Sequence, residues 1–485
     1  MKILVIGGYG IFGGRVVELL ENEPRLTLVV AGRSRAKAEA FCAARGEARA
    51  TLVPAQFDRN GNLAGQLESI GPDLVVDASG PFQAYGDAPY RMIEACIAEG
   101  IGYLDLADGS DFVNGVAAFD GAARAAGVAV LSGVSSFPVL TAAVVRRLSG
   151  DMTAVDSIRA GIAPSPHAIV GENVIRAIAS YAGQAVRLTR DGVSAKGHPF
   201  TETLRYTVAP PGCLPLRSTL FSLVDVPDLR ALPELWPEAK TVWMGAGPVP
   251  EVLHRALIVM AWLVRLGLLR RLTPLAPLMY QATNRLGWGE HRGGMFVAVA
   301  GHDAAGAVVK RSWHMVAEGD DGPLIPSMAV EALVRKALDG SKPAPGARAA
   351  VRDLELADYE ALFARRRIVT GERDDAVSED VPLYQRILGA AWDRLPAEGR
   401  ASVERGGSPL ARLAAFLVGF PAAAEETPVK VRFEADAEGE TWTRSFGADR
   451  FTSRQFAGRG RSAGLLCERF GLLTFAMAQV PDEGE

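Results

Sequence analysis

Residues 2–6 are a short, β-branched apolar run, and Gly7-Gly8-Tyr9-Gly10-Ile11-Phe12-Gly13-Gly14 follows it into a segment with helical apolar spacing. A strand, a glycine turn and a helix in that order admit few folds. Gly8, Gly10 and Gly13 stand at the G-x-G-x-x-G spacing, where the three glycines serve a tight turn, close backbone approach to a pyrophosphate, and close packing of helix on strand. The phosphates would rest on the unpaired N–H groups and positive end of the helix. Glycine turns are common, but this one opens a longer alternation of strands and helices. The reading is therefore a dinucleotide site that includes Gly8, Tyr9, Gly10, Ile11, Phe12 and Gly13.

The next strand, residues 26–31, ends in Gly32-Arg33-Ser34-Arg35. An NAD-binding domain usually has an Asp or Glu here for the ribose 2'-hydroxyl, and this chain has none. Arg33, Ser34 and Arg35 offer guanidinium forks and a hydroxyl instead, which suit a 2'-phosphate. Basic residues at a helix N-terminus also oppose its dipole, so they need some other reason to be there. NADP is favoured over NAD.

The alternation continues to about residue 150, with strands expected near residues 50–54, 74–78, 103–106 and 128–131 and helices between them. That pattern implies a parallel, doubly wound sheet with right-handed crossovers. Ligands in such sheets bind beyond the carboxyl ends of the strands, so the loops there matter most. One loop holds Ser79, Gly80 and Pro81, placed to lie along a cofactor, and Tyr85. Another holds Asp105 and Asp108. Tyr85, Asp105 and Asp108 are the candidate proton donors, although each has a plainer role as a packed ring or a turn cap. Further along, His302 reads as a hairpin residue, and Arg311 and His314 as strand positions. No metal-ligand spacing is present.

Four residue groups carry a family resemblance: Gly7 to Gly13, Ala31-Gly32-Arg33, Ala78-Ser79-Gly80-Pro81-Phe82 and Tyr103-Leu104-Asp105. Together they resemble the saccharopine-dehydrogenase-like family of NADP-binding oxidoreductases. A looser likeness runs to about residue 350, through Gly293-Gly294-Met295 and Gly322-Pro323-Leu324-Ile325-Pro326. The resemblance implies a Rossmann domain interrupted by a mixed-sheet domain, with substrate held between the two over the nicotinamide; the leading reading is an NADP-dependent oxidoreductase acting on a C=N or C=O bond of a small or lipophilic substrate. Saccharopine itself is not expected as substrate. Leu106-Ala107-Asp108-Gly109-Ser110 stands where the saccharopine-forming reductases carry a tyrosine-containing, serine-rich loop, and no arginine cluster for an amino-diacid is evident.

At 485 residues the chain is too long for one ordinary core. The expected fold class is α/β with three units. Residues 1–150 form the Rossmann-type domain. Residues 151–350 form a mixed α+β domain for substrate or dimer contacts, with a helix at 325–338 returning to the first. Residues 375–485 form a small α+β module beyond a charged linker at 365–380, resembling a reduced or truncated form of an uncharacterised domain found fused behind such enzymes. A formal charge of -4 gives no case for nucleic acid, and four separated cysteines give none for a disulfide framework. Met1 leads directly into the first strand, so a cytoplasmic protein is expected. The apolar residues 256–264 and 275–280, interrupted by Arg265, Arg270 and Arg271, are too short to span a bilayer. A buried or subunit-packing helix pair is the favoured reading, which leaves a homodimer open. A membrane-peripheral surface contact, with the chain a non-catalytic dinucleotide-binding protein, is the alternative.

Overall fold

The computed structural model describes residues 1–168, 171–216, 219–248, 250–285, 289–374, 429–436, 439–446, 449–458, 465–470 and 473–477. Six short strands open the chain: β1 (Lys2–Ile6), β2 (Thr27–Gly32), β3 (Thr51–Gln56), β4 (Leu74–Asp77), β5 (Gly102–Asp105) and β6 (Ala129–Ser132). Helices α1 (Ile11–Leu20), α2 (Arg35–Ala43), α3 (Leu63–Ile70), α4 (Arg91–Ala98), α5 (Ser110–Gly115) and α6 (Asp120–Ala125) separate them, and α7 (Thr141–Leu148) follows. Strands β1 and β4 are buried nearly throughout, as strands covered on both faces must be. All pairings among these six strands are parallel, in the order 3-2-1-4-5-6. The order reverses at β1, so a crevice opens between the loops after β1 and β4. Register sets one row of residues along that edge, because Ile6 lies opposite both Ala31 and Asp77, and Asp77 opposite Asp105.

The second unit contributes β7 (Ala154–Ala163), α8 (Glu172–Tyr181), the ribbon of β8 (Val186–Arg190) and β9 (Val193–Gly197), β10 (Thr203–Tyr206), β11 (Thr219–Leu223) and α9 (Asp228–Leu235). It continues with β12 (Thr241–Ala246), α10 (Glu251–Arg265), α11 (Ala276–Arg285), β13 (Arg292–His302) and β14 (Val308–Glu318). The chain then returns to the first unit through α12 (Ile325–Leu338), β15 (Gly346–Ala349) and α13 (Leu356–Phe363), and ends this part of the fold with β16 (Ile368–Asp374). The second sheet runs β10-β11-β12-β7-β13-β14-β16; its β7–β12 pair is parallel and its other pairs antiparallel.

The helix expected at residues 325–338 lies there, and it joins the two units. Nine of its residues, from Ile325 to Val334, are buried, the mark of a helix surrounded by protein rather than laid on a surface. It packs on α1, with the Ser327 hydroxyl 3.4 Å from the Phe12 carbonyl. One contiguous apolar core therefore takes in Ile3 and Val5 of the first sheet, Met328 and Val330 of α12, and Met295 and Trp313 of the second.

Three expectations need correction. The first domain does not close at residue 150, since β15 pairs with β6 as the seventh strand of the first sheet. Residues 368–374, read as linker because they are charged, form β16, in which Glu372 and Asp374 stay exposed. The apolar pair near Ala256 is not buried within the chain. His254, Leu257, Ala261 and Val264 turn inward, while Val252, Val259, Trp262 and Leu266 on α10 are exposed. Of the C-terminal module, the described part is a five-stranded antiparallel sheet of β17 (Val429–Asp436), β18 (Gly439–Phe446), β19 (Asp449–Ala457), β20 (Leu466–Phe470) and β21 (Leu473–Met477). The helices expected at residues 383–394 and 409–417 lie outside the described residues.

The shared core has a measurable consequence. A fragment of residues 1–150 loses β15 and α12, leaving the edge of β6 unpaired and the apolar side of α1 bare. It is expected to aggregate or to melt without a cooperative transition. A sharp thermal melt of that fragment by circular dichroism would contradict the shared core.

Candidate functional site

The glycine turn builds the first wall of the crevice. Gly7 has φ of +75°, and a Cβ there would stand 3.0 Å from the Ala78 carbonyl oxygen, so the turn after β1 lies against the turn after β4. A Cβ on Gly13 would collide with the Gly7 carbonyl, which explains why the first turn of α1 lies so close to the strand end. Gly10 caps α1 with extended backbone and no side chain. The N–H groups of Ile11, Phe12 and Gly13, at the start of the helix, have no hydrogen-bond partner among the described residues. Unfilled donors at a positive helix end, with no side chain in front of them, form a cradle for a pyrophosphate. Tyr9 bends away from this cradle. Its hydroxyl accepts a hydrogen bond from the Ser34 N–H at 3.0 Å, over Gly32, where any Cβ would come within 2.5 Å of that oxygen.

Arg33, Ser34 and Arg35 all sit at the end of β2, but they differ in availability. Ser34 is the N-cap of α2 and accepts from the Lys37 N–H at 3.4 Å. Arg35 is paired with Glu39 one turn on, at 2.9 Å. Arg33 is exposed and has no carboxylate partner among the described residues. Of the three, it is the one that neither caps a helix nor sits in an ion pair.

On the opposite wall, Asp77 is completely buried at the end of β4 and organises the next turn. Its Oδ1 accepts from the Ser79 N–H at 3.0 Å and the Ser79 hydroxyl at 2.6 Å. The Arg59 guanidinium approaches its Oδ2 at 3.5 Å and lies 3.4 Å above the Tyr85 ring. Tyr85 also packs on Phe82, and its hydroxyl is 3.2 Å from the Ser79 oxygen. Burial, then the neighbouring Asp77 charge, hold the Tyr85 phenol well above its ordinary range. Tyr85 can donate a hydrogen bond here but is a poor source of a proton. Pro81 leads into the short 3-10 turn that carries Phe82 and Gln83, and the Gly80 carbonyl accepts from Asn173 Nδ2 of α8 at 2.6 Å.

The two aspartates after β5 have separate fates. Asp105 is fully buried, and its Oδ1 accepts from the Ala107 N–H at 3.0 Å, the Ser132 hydroxyl at 2.9 Å and the Gly133 N–H at 2.8 Å. Its Oδ2 has no partner among the described residues. Burial pushes its carboxyl up to about 7 against the pull of those three donors. It ties the ends of β5 and β6 together, out of reach of a ligand. Asp108 instead opens to solvent in the cleft between the units, where Gln83 Nε2 donates to it at 3.0 Å. The crowding cleft walls, and then the Asp225 carboxylate, raise the Asp108 carboxyl above its usual range.

Sequence reasoning missed the partners from the second unit. Asp225 accepts a 2.6 Å hydrogen bond from Ser110, two residues after Asp108, and burial raises it as well. Beyond it lies a cavity of about 230 Å³ lined by Asp111, Val186, Arg187, Lys196, Asp225 and Arg230. Arg187 and Lys196 face each other across the β8–β9 ribbon, and Arg230 joins them from α9 while paired with Asp111 at 2.5 Å, so the lining holds three cations and two carboxylates. Gly171 lies against Ile11, whose Cδ1 would be 3.1 Å from a Cβ placed there, and with the Asn173 contact this carries the start of α8 across the crevice. The other candidates lie elsewhere. His302 is paired with Asp156 at 2.7 Å, Arg311 with Asp151 at 2.8 Å, and His314 is a buried acceptor for the Ala209 N–H at 3.1 Å. Among the described residues no three His, Cys, Asp or Glu side chains converge as a metal site would need.

Comparison with known proteins agrees with this geometry. Residues 3–131 match the saccharopine dehydrogenase NADP binding domain, and residues 386–485 match a domain of unknown function, DUF4166. The first unit is thus an NADP-binding domain of the saccharopine dehydrogenase type. A search of curated proteins finds no match. Among solved structures, saccharopine dehydrogenase (L-Glu forming) from Saccharomyces cerevisiae superposes with a TM-score of 0.53 at 14% identity, over 77% of this chain and 100% of that one. That likeness is one of fold. Biliverdin reductase from Synechocystis sp. PCC 6803 aligns at a TM-score of 0.32 and 13% identity, over 74% of this chain and 94% of its own. A Thermus thermophilus dehydrogenase solved with NAD and α-ketoglutarate aligns at 0.33 and 13%, over 76% and 93%. Scores that low carry no argument.

If Asp105 is a clamp, stability should report it. An aspartate in an unfolded chain titrates near 3.9, and in the folded protein this one titrates at about 7. Between those values the folded state binds more protons than the unfolded state, so stability falls as pH rises from about 4 to about 7, then levels off. Asp228, also pushed up to about 7 by burial, shares that window. Asp105→Asn keeps an acceptor oxygen and cannot ionise. It is expected to lessen the fall in unfolding midpoint between pH 5 and 8 and to match or exceed the parent at pH 8. Asp105→Ala strands two backbone donors, each costing about 1–3 kcal/mol, and is expected to be less stable at every pH.

Proposed function

We propose that the chain is an NADP-dependent oxidoreductase acting on a C=N or C=O bond, or in the reverse direction, in a small or lipophilic substrate held between its first and second units. The observation that carries this reading is the pairing of an unfilled N–H cradle at α1 with an unpaired Arg33 at the end of β2. The turn of Gly8, Tyr9 and Gly10 would give the pyrophosphate close approach and the free N–H groups of Ile11, Phe12 and Gly13 would hold it, Arg33 would hold the 2'-phosphate, and the Ser79-Gly80-Pro81 turn the ribose on the nicotinamide side. Ser34 and Arg35, engaged in a cap and an ion pair, would support Arg33 rather than grip the phosphate alone. The bound cofactor supplies or accepts the hydride.

The protein's own task is then to orient the reacting carbon and manage one proton. Asp108 is suited to it: it reaches solvent, lies near Asp225 of the second unit, and accepts a hydrogen bond from Gln83. Gln83 positions it. Asp77, Ser79 and Tyr85 form a fixed hydrogen-bonded wall beside it, and the cation-lined cavity past Asp225 has room for a polar part of the substrate that does not react.

Fluorescence titration with NADPH is expected to saturate. Arg33→Ala should weaken NADPH binding by roughly ten- to a hundred-fold, the scale of a charge-assisted contact worth about 1.5–3 kcal/mol, and leave NADH binding unchanged. Equal losses for both cofactors would remove Arg33 from the phosphate site. Turnover is sought by NADPH oxidation across a panel of carbonyl and imine compounds. Asp108→Asn should then lower kcat by about 10²–10⁴ without changing the NADPH dissociation constant. Saturable binding with no turnover of any panel member would favour the alternative, a dinucleotide-binding protein that does no chemistry.

A further inference from the structure

We propose that the exposed apolar face of α10, with the turn and helix α11 that follow it, is a docking surface for an anionic lipid membrane, on which the protein lies without crossing it. The outer face of α10 presents Val252, Arg255, Val259, Trp262 and Leu266, spaced alternately three and four residues apart, so they form one stripe along the helix. The turn beyond adds Leu268 and Leu269, and the next helix region adds Leu275 and Leu278. These side chains are well out in solvent: Val259 is 60%, Leu266 65%, Leu268 69% and Leu278 66% exposed. A contiguous apolar patch of this kind is uncommon on a monomer's surface and marks something that covers it.

Charge indicates what does. Between Glu251 and Glu290 the sequence holds Arg255, Arg265, Arg270, Arg271 and Arg285 and no Asp or Glu at all, in a chain whose formal charge is -4. Arg255 is tied to Glu251 at 2.7 Å, whereas Arg270 and Arg271 have no carboxylate partner among the described residues. Arg265 lies over the Trp262 ring at 4.7 Å, pairing a cation with an aromatic edge that favours the boundary between water and lipid. A second copy of the chain is a poor occupant, because a two-fold contact on this face would set its arginines against one another, and Glu251, the acid nearest those of α10 in sequence, is already tied to Arg255. A lipid surface with anionic headgroups satisfies both features at once: the leucines enter the acyl boundary and the arginines meet phosphate. Crossing is excluded by length, since the 15 residues of α10 extend about 22 Å against a hydrocarbon core of about 30 Å.

Flotation of the full chain with vesicles tests the proposal independently of the oxidoreductase reading. The protein is expected to float with vesicles of 70% phosphatidylcholine and 30% phosphatidylserine, and at least tenfold less with pure phosphatidylcholine or in 0.5 M salt. The double variants L266E/L268E and R270E/R271E change exposed side chains, so each should keep the parent's melting curve and lose at least tenfold in the bound fraction. Absence of the parent from the anionic vesicle fraction would overturn the proposal, as would flotation that neither variant reduces. Sedimentation velocity supplies the remaining outcome: a concentration-dependent dimer dissolved by L266E/L268E would assign the face to a second copy and retire the membrane.

Discussion

A single steric constraint orders the first unit. The Gly7 carbonyl leaves no room for a Cβ at position 13, and the Ala78 carbonyl leaves little for one at position 7, so the turn after β1 lies between its own helix and the turn after β4. That double approach brings the start of α1, with its unfilled N–H groups, to the point where the strand order reverses. Everything assigned to the cofactor follows from that placement. Because register aligns Ala31, Ile6, Asp77 and Asp105 in one row, the loops that follow these residues converge along one edge.

Along that edge the side chains divide into those that hold the edge and those that face the cleft. Asp77 and Asp105 both sit at strand ends and both are wholly buried, each gathering donors from the turn that follows or lies beside it. A buried carboxylate that accepts two or three hydrogen bonds from its neighbours is a structural tie whose removal strands those donors. Asp108 lacks such a set of backbone donors and opens to water, and so it can exchange a proton with a ligand. Tyr85 falls between the two groups. Its ring is held by Arg59 and Phe82, and its hydroxyl continues the chain from Asp77 through Ser79 into the cleft.

What the sequence made legible was local. The glycine spacing, the apolar runs and the missing carboxylate at position 33 are all read within a few residues, and the first six strands and the helix at 325–338 appear where periodicity puts them, while β11, β12, β15 and β16 went unread. Contacts between distant parts of the chain were hidden. Asn173 on the Gly80 carbonyl and Ser110 on Asp225 have no spacing signature, because chain topology brings them together. The charged residues 368–374 misled for another reason: β16 is the edge strand of its sheet, so Glu372 and Asp374 can stay exposed while Arg373 bonds the Ala209 carbonyl, and composition alone does not distinguish such a strand from a linker. Arg33, Ser34 and Arg35 looked equivalent in sequence. Only the cap at Ser34 and the ion pair at Arg35 separate them.

The exposed apolar surface of α10 and α11 shares one element with the cofactor crevice. Helix α8 begins at the crevice, where Gly171 meets Ile11 and Asn173 holds Gly80, and packs along its length against α11. Beyond its end Gly183 lies so close to the Ala261 carbonyl of α10 that a Cβ there would collide with it, and its φ of +75° turns the chain away. Helix α8 therefore touches both the turn beside the crevice and the helix that carries Leu278, so the two regions share one packed element.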